Sequence, residues 1–106
     1  MPKFMYQGSY TADGARGVLK DGGSGRRAAV EKLAASTGGK LESFYFTFGA
    51  DDFVIIVDAP DNEGAAAVAL AVGATGAVNL RTTVLLTTEQ VDAVAKRVVD
   101  YRAPGA

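Results

Sequence analysis

The segment Gly22-Gly23-Ser24-Gly25-Arg26-Arg27 gathers what an anion site needs. Glycines let the backbone turn several N–H groups toward one point. A helix opening at Ser24 or Gly25 carries about half a positive charge at its N-terminus, and Arg26 and Arg27 add donors suited to phosphate or carboxylate. Lys20 lies close by in the chain. The spacing matches neither the P-loop nor the G-x-G-x-x-G dinucleotide fingerprint, and a loop in which Ser24 only caps a helix accounts for the same residues.

A second set consists of polar residues on otherwise apolar strands: Gln7 and Ser9, then Ser43, Tyr45 and Thr47, then Arg81 and Thr83. If they share a face, Gln7, Ser9, Tyr45, Arg81 and Thr83 would converge as a ligand-binding group between apolar walls, with Arg81 as anchor for a carboxylate or enolate oxygen. The plainer reading pairs Arg81 with an acid at the sheet edge and leaves the others as interface hydrogen bonds. Register decides between them, because a slip of one residue moves every side chain to the opposite face. Asp51, Asp52 and Asp58 have the chemistry to share a proton or hold a divalent cation. Yet Asp51 and Asp52 occupy a turn, where aspartate is favoured for its own backbone hydrogen bonds, and Asp58 ends a strand. Tyr6, Tyr10 and Tyr45 are first of all strand packing residues. No catalytic residue is assigned.

Composition narrows the field further. The 106 residues carry 11 basic and 12 acidic side chains, 48% apolar residues, and no histidine or cysteine. Imidazole catalysis, disulfides and thiolate zinc sites are excluded, and any metal would need an all-oxygen site; no metal and no cofactor is expected. A net charge of -1 gives no general attraction to phosphate polymers or anionic membranes, so neither nucleic acid nor membrane is an expected partner. Met1 to Gln7 lacks the apolar core of a signal peptide, and the Ala- and Gly-rich stretch 64–78 is shorter than a bilayer span, which makes the cytoplasm the expected setting.

The elements that must position these residues read as one domain over 1–106, with a frayed tail at 103–106. Phe4 to Tyr10 is a strand, followed by a helix capped by Thr11 and interrupted at Gly22-Gly23. Helical spacing of Ala29, Val30, Leu33 and Ala34 resumes until Gly38-Gly39. Residues 41–48 and 52–58 form a hairpin, Asp61 caps a helix running to about Ala74, and residues 78–86 form the fourth strand. Thr88-Glu89-Gln90 opens a C-terminal helix ending near Tyr101. The order is that of a split βαβ, ferredoxin-like α+β fold with helices on one face of an antiparallel sheet.

Phe53-Val54-Ile55-Ile56-Val57 is apolar on both faces, whereas a sheet wetted on one side should alternate. Something must cover the second face. The C-terminal helix in a monomer and an identical sheet in a dimer both satisfy that need.

The strings Gln7-Gly8-Ser9-Tyr10-Thr11, Gly22-Gly23-Ser24 followed by Arg27, Gly38-Gly39-Lys40-Leu41-Glu42, Phe44-Tyr45 and Asp52 to Pro60 resemble the GYD-domain family of small bacterial proteins, from Lys3 to about Lys96. In the signature turn, here Gly49-Ala50-Asp51-Asp52, the glycine and aspartate persist and the tyrosine does not. The resemblance implies a ferredoxin-like fold related to the dimeric α+β barrels, whose subunits pack sheet against sheet, and it implies no settled activity. The chain is accordingly expected to pair with itself, as a homodimer or higher homo-oligomer serving small-molecule binding or structure. The alternative is a cofactor-independent enzyme acting on a small anionic or aromatic metabolite, by analogy with that barrel superfamily. A third reading is an anion or nucleotide sensor built on Gly22 to Arg27.

Overall fold

Alternation governs the central strand. In the computed structural model, which describes residues 1–106, β1 (Lys3–Tyr10) turns Phe4, Tyr6 and Gly8 into the core and leaves Met5, Gln7 and Ser9 half-buried on the opposite face. Thr11 then caps α1 (Ala12–Ser36): its hydroxyl accepts from the Gly14 N–H and donates to the Gly76 carbonyl at 2.8 Å.

The expected interruption of this helix is present but much shorter. Only Gly22, at φ 74° and ψ 170°, leaves the helical region. Glycine takes positive φ without a Cβ penalty, so one residue completes the bend, and the helix resumes at Gly23 with Ser24 and Gly25 in its first turn.

The hairpin is β2 (Lys40–Phe46) and β3 (Phe53–Asp58), after which Asp61 caps α2 (Asn62–Ala74) through the Gly64 N–H. Gly76, at φ 73°, turns the chain into β4 (Val78–Leu85). The sheet order is β2-β3-β1-β4 with every neighbouring pair antiparallel, the ferredoxin-like arrangement. Phe4, Tyr6, Phe44, Phe53, Ile55 and Val57 form the core with Ala34 of α1 and Ala65 of α2, so both helices cover this face.

A bulge fixes what the hairpin's sequence leaves open. The β2–β3 register shifts between Leu41 and Ser43, so Leu41, Phe44 and Phe46 share the helix-covered side while Ser43 and Tyr45 share the other. Phe44 and Phe46 pack with ring centroids 4.9 Å apart, and Tyr45 is 68% exposed.

The C-terminus departs most from expectation. A capping box of Thr87 and Gln90 starts α3 (Thr88–Ala95), but the helix stops six residues short of Tyr101 and buries nothing. A short helix without packing is marginal in water, and Val98, Val99 and Tyr101 have no apolar neighbour to order them. The radius of gyration is 16.9 Å, against about 13 Å for a compact chain of this length. The C-terminal helix therefore does not serve as a cover for the sheet within its own chain.

Candidate functional site

Across the uncovered face the register lines up two rows. Tyr45, Val54, Gln7 and Arg81 are successive cross-strand partners, and Ser43, Ile56, Met5 and Thr83 form the parallel row beside them. Ser9 stands opposite Asn79 at one end. All five residues of the expected ligand-binding group thus share one face, which requires the bulge: without it Tyr45 would point into the core.

Ion pairs bracket the apolar centre of Met5, Val54 and Ile56. At one end Arg81 donates through both terminal nitrogens to Asp51, at 2.9 and 3.2 Å, and one of them also donates to the Gln7 amide oxygen at 3.3 Å. The bonds to Asp51, and its charge, raise the arginine's already high pKa. At the other end Lys3 donates to Asp58 at 2.8 Å and to Glu42 at 3.0 Å, and both bonds raise the ammonium pKa, Asp58 the more strongly. Arg81 sits as the plainer reading has it, against an acid at the sheet edge, and a ligand anion would have to displace Asp51.

The three aspartates have three separate structural partners. Asp51 holds Arg81 and Asp58 holds Lys3, while the Asp52 carboxylate accepts from the Tyr10 N–H at 2.9 Å and its own N–H donates to the Gly8 carbonyl at 2.7 Å. The turn thereby locks the hairpin to the end of β1. Ala50, in the position of the signature tyrosine, is exposed at the tip of that turn.

The Gly22 to Arg27 segment is helical after the bend, and its polar groups diverge. Arg27 donates to Glu31 one turn on, at 3.1 Å. Arg26 lies 3.6 Å from Asp21 and faces Tyr10. No shared centre is formed by Ser24, Gly25, Arg26 and Arg27.

Arg26 leads to a feature that the sequence reading missed. Between the sheet and the helical layer lies a cavity of about 70 Å³ with almost wholly apolar walls, including Val30, Phe44, Phe53 and Val68. A wider recess of about 240 Å³ adjoins it along α1, sharing Tyr10, Arg26, Val72 and Val78. Burial pushes the Tyr10 phenol upward in pKa, and the nearby Arg26 guanidinium partly opposes that. The Tyr6 phenol, also raised by burial, donates to the Ala65 carbonyl at 2.7 Å. The available signal was Ala65 of α2, a small residue lining the cavity with Tyr6, Phe44 and Phe53, which leaves space unfilled.

The family pattern described as GYD domain matches residues 4–95. Among solved structures, the one titled "Crystal Structure of MtbAldR (Rv2779c)" is similar with a TM-score of 0.57 and 24% identity, over 81% of this chain and 52% of that one. That likeness shows the ferredoxin-like fold, and this chain spans about half the length of that protein. No curated protein matches. No helix of the structure is long and apolar enough to cross a membrane.

Proposed function

The chain belongs to the GYD domain family, and from that premise we propose that it works in the cytoplasm as a self-pairing module for small-molecule binding, two copies joining through the open faces of their sheets. The observation that carries this reading is the uncovered face itself. Met5, Val54, Ile56 and Leu85 lie on it with no helix above them, flanked by the Arg81–Asp51 and Lys3–Asp58 pairs. An apolar centre with a charged rim is the general form of a protein interface.

The projecting C-terminal segment supports the same reading. Val91, Val94, Val98 and Val99 are exposed on an arm that finds nothing to pack against in its own chain, and a second copy supplies an apolar surface of the kind it lacks. In the paired state Gln7, Ser9, Tyr45, Arg81 and Thr83 supply polar contacts between the sheets. The enzyme reading gains no comparable support, because Asp51 is held in an ion pair with Arg81 and Asp52 by the Tyr10 N–H.

Sedimentation velocity of the wild-type chain and of Ile56→Asp tests the proposal. A wild-type dimer that the aspartate converts into a folded monomer is the expected result, since a carboxylate at the centre of the paired sheets would be buried without a partner. Identical sedimentation of both proteins as monomers would rule out pairing through this face.

A further inference from the structure

The cavity beneath the helical layer lies on the opposite side of the sheet from the pairing face, and its lining is chemically divided. Its depth is apolar, made by Val30, Phe44, Phe53, Ile55 and Val68. Its polar groups gather where it meets the recess. There Tyr10 offers a phenol, neutral at ordinary pH, and Arg26 offers a guanidinium that reaches Tyr10 and pairs loosely with Asp21 at 3.6 Å. Arg16, Arg27 and Arg81 all hold a carboxylate at hydrogen-bond range. Arg26 is partly buried and has the longest ion pair of the four, so an external carboxylate can compete with Asp21 for its donor fork.

The bend at Gly22 makes this arrangement possible. The second half of α1 starts afresh after the φ 74° residue, and its first turn sets Arg26 beside Tyr10 at the end of β1. A straight helix would carry that residue elsewhere.

Size and chemistry then define the occupant. The inner chamber is about half as large as an apolar cavity that takes up benzene, which limits it to a short chain, and the adjoining recess of about 240 Å³ leaves room for a polar head group. We propose that this cavity binds a small apolar monocarboxylate, with a short branched chain lodged beneath the helices and its carboxylate held by Arg26 with Tyr10 as second donor. A carboxylate matches the planar fork of the guanidinium and accepts from the phenol, whereas a cation would meet two donors. Asp13, the other acid at the recess, is already paired with Arg16.

The site deepens the binding-module reading but is complete within one subunit. Titration of the ¹⁵N-labelled chain with isovalerate, followed by amide chemical shifts, tests it. Shifts are expected at Val30, Ala34, Ala65 and Val72, with a dissociation constant on the order of millimolar. Isovaleramide, which has the same shape without the charge, should bind about tenfold more weakly, and Arg26→Gln should erase that difference while leaving the fold's dispersion intact. Arg26→Lys should restore part of the preference. Absence of shifts at these amides, an equal response to acid and amide, or an unchanged preference in Arg26→Gln would each overturn the proposal, as would shifts confined to Arg81 and its neighbours. A monomeric protein that still shows the expected shifts would remove the pairing reading and leave this one standing.

Discussion

The two faces of one sheet are built on different rules. Toward the helices, Phe4, Tyr6, Phe53, Ile55 and Val57 are buried and the Tyr6 hydroxyl finds a carbonyl. Away from them, Met5, Val54 and Ile56 are as apolar but lie open between two ion-paired ends. Both faces carry enough apolar surface to drive burial, yet only one is covered within the chain. The first face stabilises the fold; the second is available for association.

That contrast makes stability and assembly separable by mutation. The largest effect belongs to Phe53, 4% exposed and 5.3 Å from the Tyr10 ring: Phe53→Ala should lower the unfolding free energy by about 3–5 kcal/mol in denaturant titration, enough to unfold a marginal domain. Its neighbour Val54 points the other way, and Val54→Ala should cost about 1 kcal/mol in the separated chain while weakening association markedly. Equal losses at the two positions would break the distinction between the faces.

Tyr6→Phe sharpens the same contrast through pH. Burial raises the Tyr6 and Tyr10 pKa values above the ordinary 10.0, so the unfolded chain loses these protons first as the solution becomes alkaline. The stability linked to the neutral phenols is whole below about pH 10 and falls as pH rises through the folded-state values. Tyr6→Phe should cost about 1 kcal/mol at neutral pH, from the lost bond to Ala65, and should flatten the alkaline decline measured by urea unfolding. The smallest effect is expected at Arg81. Its partner lies in an exposed turn, so Arg81→Ala should leave the thermal midpoint of the separated chain within a few degrees while shifting the dimer equilibrium.

Local chemistry made much of this fold readable in advance. Thr11 and Asp61 are caps whose side chains accept the expected N–H groups, Gly76 takes the positive φ that its position suggests, and the five apolar residues of β3 announce a sheet needing cover on both faces. Features that depend on contacts between distant segments were less accessible. The bulge beside Glu42, which decides the side Tyr45 faces, is set by pairing with β3 and leaves no mark in the composition of β2. The bend at Gly22 needs one residue where four invite a loop, and the end of α3 at Ala95 reflects missing packing rather than a breaker. The cavity escaped for a related reason: its volume is a difference between the helical layer and the sheet, and no single segment encodes it.

Native mass spectrometry of the wild-type chain across a dilution series tests the central claim most directly. Pairing through the open face predicts a species of twice the 10.9 kDa chain mass that gives way to the single chain on dilution. A bare 10.9 kDa species at every concentration would contradict it.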